Sequence, residues 1–193
     1  MNKKKTITFI TVLILVLVIG GIIYTMAQTK NTTVLMKTSE GDVTIELYAD
    51  KAPITVNNFL TYVNDHSYEG TVFHRVITGF MIQGGGFDEK GNEKDTRAPI
   101  KLESNNGLKN TAGTIAMART MVEDSATNQF FINAVDNDFL NYAPGNPGYA
   151  VFGKVISGMD VVKKIEKSDT ALKNRMDDWP IKDVKIISVE VLK

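Results

Sequence analysis

The chain has 193 residues, enough for one domain and an appendage but too few for two ordinary domains. It contains no cysteine, which excludes disulfides, thiolate nucleophiles and cysteine-bearing zinc sites. Four of its 22 lysine and arginine residues, at positions 3, 4, 5 and 30, precede the predicted domain, which leaves 18 against 22 aspartate and glutamate residues, so we expect no nucleic-acid partner.

The N-terminus has the pattern of an export signal. Three lysines at positions 3–5 precede an uncharged, largely aliphatic stretch of 24 residues from Thr6 to Thr29. A bilayer core takes about 20 apolar helical residues, whereas the apolar region of a cleaved signal runs to about 7–15. The length therefore predicts a hydrophobic helix that contacts the membrane through residues 6–29. The lysines should stay cytoplasmic and the following domain should lie outside the cytoplasm.

A cleaved signal peptide is the alternative, because Thr25-Met26-Ala27 loosely matches the small residues of a cleavage site. Residues 1–29 are therefore assigned to a signal anchor or signal peptide, residues 30–33 to a linker and residues 34–193 to the domain. With an anchor the protein is a single-pass protein of the cell membrane. After cleavage it is periplasmic or secreted.

Short apolar runs separated by glycine, asparagine and aspartate follow the linker, a pattern typical of strands and turns. Residues 34–37 and 43–48 flank Ser39-Glu40-Gly41-Asp42 and predict a hairpin, whose second run alternates apolar and polar residues. Further strands are predicted at 72–77, 80–83, 114–118, 130–134, 150–156 and 184–192.

Two helices interrupt the strands. The first is predicted over Pro53–Asn64, where apolar residues at positions 56, 59, 60 and 63 form one stripe behind a proline suited to the first turn. The second is predicted over Met159–Lys167. Because strands and helices do not alternate, the pattern predicts a mainly β fold, a closed antiparallel β-barrel with a helix over each open end.

The sequence lacks most familiar catalytic devices. It has no G-x-S-x-G elbow and no H-E-x-x-H helix, and its two histidines, His66 and His74, exclude a histidine-rich metal site. The acidic run 88–95 lacks the ligand spacing of a calcium loop and predicts a solvated loop. Gly84-Gly85-Gly86 lacks the lysine of a phosphate loop and predicts a tight turn or bulge. We therefore expect neither a metal nor a cofactor.

Arg75 is the most unusual residue of the predicted strands. In Phe73-His74-Arg75-Val76-Ile77 it is expected on the face opposite His74 and Val76. An arginine among apolar residues is expensive to bury, so it either reaches solvent or serves a site. This strand alone leaves both possibilities open.

Several further segments accompany Arg75. In chain order the set is Asn57-Asn58-Phe59, residues 73–77, Gly79 to Gly86, Ala116-Met117-Ala118-Arg119, residues 125–133 and Val151-Phe152-Gly153-Lys154-Val155. Together they resemble the cyclophilin family of peptidyl-prolyl isomerases, in unbroken order from Val34 to Leu192. The resemblance implies an eight-stranded barrel capped by two α-helices, and cis–trans isomerisation of X–Pro bonds in proline-containing polypeptides.

The resemblance also implies a site centred on a catalytic Arg75. The implied substrate-binding residues are Phe80, Met81, Gln83, Ala118, Arg119, Gln129, Phe131, Phe139, Leu140 and Tyr149. Apolar members of this set are expected to grip the proline ring, while Arg75 donates to the prolyl nitrogen of the twisted amide. Gln83 is expected to hold the moving carbonyl, and the Arg119 backbone to align the substrate chain. No metal or nucleophile is needed, because rotation about the amide makes and breaks no covalent bond.

Three positions depart from many eukaryotic members of that family: Phe139 replaces a tryptophan, Tyr149 a histidine and Arg119 an asparagine. Loss of the indole N–H at position 139 predicts weak cyclosporin binding. Trp179 lies outside the matched site and is assigned only a packing role. We expect a monomeric isomerase that assists the folding of proteins outside the cytoplasm. The alternative is a membrane-anchored, non-catalytic module that binds proline-containing peptides or holds unfolded chains.

Overall fold

A computed structural model describes residues 32–192. Within them the strands are β1 (Thr32–Thr38), β2 (Gly41–Leu47), β3 (Thr71–Ile77), β4 (Met81–Asp88), β5 (Thr114–Met117), β6 (Phe130–Asn133), β7 (Val151–Ser157), β8 (Thr170–Lys173), β9 (Met176–Pro180) and β10 (Ile186–Leu192). The helices are α1 (Pro53–Asn64) and α2 (Met159–Glu166), and a 3-10 turn covers Asp138–Leu140.

The hydrophobic helix predicted near the N-terminus lies outside the described residues. Among residues 32–192, no helix has both the length and the apolar character needed to cross a membrane.

Eight strands form one antiparallel sheet in the order β10-β1-β2-β7-β5-β6-β4-β3. The predicted closure of this sheet into a barrel is wrong. Its edge strands, β3 and β10, form no ladder with each other. Where their ends approach, they are joined by an isolated bridge between Val72 and Lys185 and by hydrogen bonds from the Phe73 N–H to the Val184 carbonyl and from the Gly70 N–H to the Ile186 carbonyl. Because β10 pairs along its length with β1 and approaches β3 without forming a ladder, the sheet curls into an open half-barrel.

The concave face of the sheet carries the main hydrophobic core. Phe73, Phe130 and Phe152 are fully buried there, together with Phe59 of α1. The Phe59 ring centroid lies 5.8 Å from that of Phe130 and 5.2 Å from that of Phe152, so an aromatic ring fixes α1 to the core. Residues of α2 join the same core, and both predicted helices are confirmed.

A second, smaller group of apolar side chains lies on the convex face, because successive strand residues point to opposite sides of a sheet. We call it the outer cluster, and its buried members are Met81, Ala116, Phe131, Leu140 and Val151. Their chain neighbours Ile82, Ile115, Phe130 and Phe152 belong to the concave core instead. The sheet is therefore apolar on both faces in this region.

Strands β8 and β9 form a separate hairpin that the sequence did not predict. Its turn residues, Asn174 and Arg175, have φ values of 54° and 64°, the left-handed conformation of a two-residue turn. Arginine is an uncommon residue at such a position, which is why the turn carried no recognisable signal. The hairpin packs beside β3.

Candidate active site

Arg75 and Phe131 converge because they stand in one row across neighbouring strands. Arg75 of β3 is paired with Gln83 of β4, Gln83 with Phe131 of β6, and Phe131 with Ala116 of β5. Residues directly opposite one another in a sheet point to the same face. The ladder thus places an arginine, a glutamine and a phenylalanine side by side on the convex face.

This row borders a cavity of about 130 Å³, which we call the apolar pocket. It is lined by Arg75, Phe80, Met81, Gln83, Ala118, Arg119, Phe131, Leu140 and Tyr149. The cavity is well below the ~300–1,000 Å³ of sites that hold drug-sized ligands. Its size therefore suits one small apolar group and not a whole cofactor.

The floor of the apolar pocket is built from the outer cluster. Met81, Phe131 and Leu140 are buried, and the Phe131 ring meets that of Tyr149 edge-on at 5.5 Å between centroids. The Arg119 guanidinium stacks over the Tyr149 ring at 4.6 Å and donates to the Gly148 carbonyl from Nε at 3.0 Å and Nη2 at 2.8 Å. The Arg119 side chain therefore holds the wall of the pocket in place.

The Arg119 backbone is free for a different purpose. Its N–H and carbonyl have no hydrogen-bond partner among residues 32–192, whereas the preceding Ala118 N–H donates to the Gln129 carbonyl at 2.9 Å. An extended peptide could pair with these unoccupied groups as an added strand would.

Gln83 and Gln129 fix each other at the edge of the apolar pocket. The Gln83 Nε2 donates to the Gln129 Oε1 at 2.8 Å, and its second hydrogen has no other partner among residues 32–192. Gln129 needs Gly86 beneath it, since a Cβ at that position would lie 2.5 Å from the Gln129 Cγ. The glycine run predicted as a turn or bulge therefore also makes room for a site glutamine.

A second cavity, of about 200 Å³, continues from the apolar pocket past Gln83, Ala118 and Arg119. Gln129 lines this cavity and not the first one, and Glu93, Thr120 and Ser125 give it a polar wall. The site is thus an apolar pocket joined to a polar trough, a shape suited to a segment of polypeptide.

Phe139 lies on the rim of the apolar pocket and does not line it. Its side chain is 67% exposed and stacks on Phe80, with 5.5 Å between ring centroids and 30° between ring planes. The neighbouring Leu140 points inward and lines the pocket. Of the residues predicted for the site, Gln129 and Phe139 are therefore the ones outside the apolar pocket, one in the trough and one at the rim.

Buried asparagines, which sequence reasoning missed, hold the turn that carries Phe139 and Leu140. Asn137 Nδ2 donates to the Phe80 carbonyl at 3.1 Å and to Asn133 Oδ1 at 2.7 Å. Asn110 Nδ2 donates to the Leu140 carbonyl at 3.0 Å. Asparagines at strand ends usually predict exposed turns, so the sequence did not indicate that these asparagines are buried and support the site.

His74 and Arg75 share a face of the sheet, contrary to the prediction from alternation. The register between β3 and β4 shifts between Phe73 and Arg75, as at a β-bulge, and both residues line the cleft between β3 and the β8–β9 hairpin. A bulge places an extra residue on one strand and breaks the alternation of side chains.

The electrostatic surroundings of these neighbours differ. The buried His74 has a pKa lowered to about 4, chiefly because burial removes the water that would stabilise the charged ring. The Arg75 charge lowers this pKa further by a smaller amount, whereas hydrogen bonding to the Val72 backbone and the Gln129 side chain raises it. The Arg75 side chain is 42% exposed, and its Nε lies 3.9 Å from Asp178 Oδ2. Of these two neighbours, Arg75 is therefore the one that carries a charge beside the apolar pocket at neutral pH.

Within residues 32–192, no three histidine, aspartate or glutamate side chains are grouped so that they could hold a metal ion. The chemistry that the site offers is a guanidinium charge, amide hydrogen-bond donors and an apolar cavity.

Comparison with known proteins gives one family. Residues 33–191 match the family described as cyclophilin type peptidyl-prolyl cis-trans isomerase/CLD. The chain is 55% identical over 175 residues to a peptidyl-prolyl cis-trans isomerase of Acinetobacter baylyi, covering 91% of this chain and 93% of that protein. It is 54% identical over 161 residues to peptidyl-prolyl cis-trans isomerase B of Escherichia coli, covering 82% of this chain and 98% of that protein.

Solved structures show the same similarity. The crystal structure of a Cryptosporidium parvum cyclophilin type peptidyl-prolyl cis-trans isomerase, in the presence of the dipeptide Ala-Pro, superposes with a TM-score of 0.70 at 26% sequence identity. The match covers 83% of this chain and 99% of that one.

Proposed function

Because the chain belongs to the cyclophilin-type peptidyl-prolyl cis–trans isomerases, we propose that it isomerises X–Pro bonds in exported polypeptides, with the proline held in the apolar pocket and Arg75 acting on the twisted amide. The observation that carries the proposed mechanism is the row Arg75–Gln83–Phe131 at one edge of this pocket. It puts a guanidinium with no hydrogen-bond partner among residues 32–192 beside the cavity that fits a proline ring, whereas the other guanidinium of the lining, that of Arg119, is bound to the Gly148 carbonyl.

The reaction needs a group that prefers the twisted amide to the planar one. Amide resonance gives the X–Pro bond a rotation barrier of about 18–20 kcal/mol, and this resonance is lost midway through rotation. The prolyl nitrogen then has a free lone pair that can accept a hydrogen bond. The Arg75 guanidinium stays charged throughout and donates to that nitrogen, so the interaction is strongest in the transition state and lowers the barrier.

The remaining site residues hold the two sides of the rotating bond. The outer cluster immobilises the proline ring through Met81, Phe131 and Leu140, with Phe80 and Phe139 covering the rim. Gln83, steadied by Gln129, donates to the carbonyl that precedes the proline. The backbone of Ala118 and Arg119 and the wall at Tyr149 keep the preceding chain extended along the polar trough.

The role of Arg75 is tested by replacing it with alanine. Since removal of one hydrogen-bond donor from a transition-state site typically lowers rates by about 10²–10³, we expect kcat/KM for a proline-containing peptide to fall about a hundredfold or more. Arg75→Lys should recover only part of the loss, because a single ammonium cannot reproduce the planar fork of a guanidinium. The measurement is a protease-coupled or NMR exchange assay of isomerisation.

The matched control is Arg97→Ala, since Arg97 is paired with Asp65 and lines neither cavity of the site. Its kcat/KM should stay within about twofold of the unsubstituted protein, as expected for loss of an exposed ion pair. Equal rates for the Arg75→Ala and Arg97→Ala proteins would remove Arg75 from the mechanism. Peptide binding without turnover in the unsubstituted protein would favour the non-catalytic module.

The export part of the proposal is supported by the sequence before residue 30. The lysines at positions 3–5 and the uncharged stretch Thr6–Thr29 have the order of a signal anchor, with the isomerase domain following it. Proteins that fold outside the cytoplasm also contain X–Pro bonds whose uncatalysed isomerisation takes tens of seconds or more. An isomerase held at the outer surface of the membrane would act on them as they emerge.

Fractionation of cells that express the full chain tests the export proposal. The protein should be found with the membrane carrying Met1, or outside the cytoplasm beginning near Gln28, as read by mass spectrometry of the intact chain. Leu15→Arg combined with Leu17→Arg should leave it in the cytoplasm, because each charge costs roughly 2.5–3.5 kcal/mol at the centre of a membrane helix. Cytoplasmic recovery of the unsubstituted chain with Met1 intact contradicts the proposal.

A further inference from the structure

The β8–β9 hairpin forms one wall of a cleft beside Arg75. The cleft has a volume of about 470 Å³ and runs from His74 and Arg75 on β3 to Met176, Asp177 and Asp178 on β9. It lies next to the apolar pocket, with which it shares Arg75 and Gln83. The hairpin is thus placed to act on the guanidinium without touching a substrate in the pocket.

The hairpin is pinned to the body of the domain through Trp179. This residue is fully buried, and its ring centroid lies 6.1 Å from that of His74 and 6.3 Å from that of Phe87. Its Nε1 donates to Asp183 Oδ1 at 2.8 Å, and Lys173 Nζ donates to the same oxygen at 2.7 Å. The residue before Trp179 therefore has a fixed position relative to β3.

That residue, Asp178, has an unusual backbone conformation. Its φ of 61° lies in the left-handed region, which costs a residue with a side chain about 1–2 kcal/mol and is best tolerated by asparagine and aspartate. Packing of the adjacent Trp179 supports the strained conformation, as is expected where the surroundings determine the backbone. The result is a carboxylate brought up to Arg75.

Asp178 is the sole ionic partner of Arg75 within residues 32–192, and the Arg75 guanidinium has no hydrogen-bond partner there. The 3.9 Å separation joins Asp178 Oδ2 to the Arg75 Nε, so it is an ion pair without hydrogen-bond geometry. Because the carboxylate approaches Nε, the terminal nitrogens of the guanidinium are left for a substrate.

We propose that Asp178 is a positioning residue for Arg75, which restrains the guanidinium through Nε and turns its terminal nitrogens toward the apolar pocket. This inference rests on the proposed role of Arg75. The two side chains are 42% and 40% exposed, so the pair is partly screened by water and its effect is modest.

Asp178→Asn tests the inference, since asparagine keeps the left-handed conformation and removes only the charge. The effect of an exposed ion pair corresponds to a decrease of about two- to fivefold in kcat, with KM unchanged because ground-state binding is untouched. Asp177→Asn is the matched control, as it removes the same charge from an adjacent exposed residue that has no ion pair with Arg75. Its kcat should equal that of the unsubstituted protein.

A double-mutant cycle separates positioning from a general effect on the hairpin. In an Arg75→Ala background, Asp178→Asn should have no further effect, because the group that it positions is gone. Raising the ionic strength from about 0.05 M to 0.5 M should lower kcat of the unsubstituted protein toward that of Asp178→Asn, and leave the variant unchanged.

The possible failures are distinguishable. If Arg75→Ala loses activity while Asp178→Asn retains or gains it, the positioning role is overturned and the proposed function stands. Equal effects of Asp178→Asn in both backgrounds also overturn the positioning role. If Arg75→Ala is fully active, the proposed function itself fails.

Discussion

His74 and Arg75 are adjacent in the chain and share one face of the sheet, yet water reaches only the arginine. His74 is 3% exposed and its Nδ1 has no hydrogen-bond partner within residues 32–192. A buried imidazole resists protonation because the charged form loses its hydration, whereas the half-exposed guanidinium keeps part of its water. The bulge thus places a neutral ring and a permanent charge side by side.

His74 should make the stability of the domain depend on pH. Its pKa is lowered to about 4 in the folded protein, from 6.5 when unfolded, so the unfolded chain binds more protons between these values. The free energy of unfolding is therefore unaffected by His74 above pH 6.5 and decreases as the pH falls from 6.5 to 4. The decrease is about 3 kcal/mol, at 1.36 kcal/mol per pKa unit. Urea unfolding at a series of pH values measures it.

His74→Phe should show a smaller decrease in unfolding free energy across this range, because a phenylalanine has no proton to bind. His66→Asn is the control, since His66 is exposed, lies outside the core and has a left-handed φ of 55° that asparagine tolerates. It should follow the unsubstituted protein. Parallel curves for His74→Phe and the unsubstituted chain would show that His74 is protonated normally in the folded state.

Individual site residues were predictable to different extents. Arg75, Gln83 and Phe131 came from motifs whose members lie close together in the chain, and the sheet brings those motifs into one row. Asp178 carried no local signal, because it lies in a hairpin whose sequence lacks alternation and its partner is far away in the chain. Side chains that act through tertiary contact are not visible to reasoning from short segments.

At the scale of elements, the β8–β9 hairpin is attached to the domain by few side chains, of which Trp179 is the buried one. Outside its own ladder, the hairpin is attached through the buried Trp179, whose indole donates to Asp183 and packs against His74 and Phe87, and through Lys173, which also donates to Asp183. A short two-stranded hairpin is at best marginally stable by itself. We therefore expect packing of Trp179 to contribute measurably to the free energy of unfolding.

Trp179→Phe should lower the free energy of unfolding by about 1–3 kcal/mol, because it leaves a cavity and removes one hydrogen bond to the Asp183 carboxylate, which Lys173 still contacts. Leu172→Ala is the control within the same hairpin, since Leu172 is 70% exposed and surface substitutions usually change stability by less than about 0.5 kcal/mol. Urea denaturation followed by far-UV circular dichroism gives both values. A change for Trp179→Phe as small as that for Leu172→Ala would contradict the anchoring role.

Strand prediction succeeded where apolar and polar residues alternate or an apolar run is long, as in β2, β6 and β7. It failed for the hairpin, where Asn174-Arg175 replaces the usual asparagine–glycine turn. It also misplaced Arg75 relative to His74, because a bulge depends on the register of the partner strand and not on the residues of the bulged strand alone.

For the whole molecule, the sequence predicted the strands of the large sheet and both helices but not how the sheet ends. Closure depends on how far the accumulated twist brings β3 toward β10, and these strands are more than a hundred residues apart in the chain. The local pattern of an edge strand is similar whether or not a partner joins it. The resemblance to a known family supplied the strand number and the site, which periodicity alone could not.

Because the sheet is apolar on both faces, the protein can accept amino-acid substitutions on one face with little effect on the packing of the other. The outer cluster beneath the apolar pocket shares a sheet with the concave core but none of its buried side chains. Substitutions at the pocket floor can therefore alter which peptides are accepted while the interior stays filled.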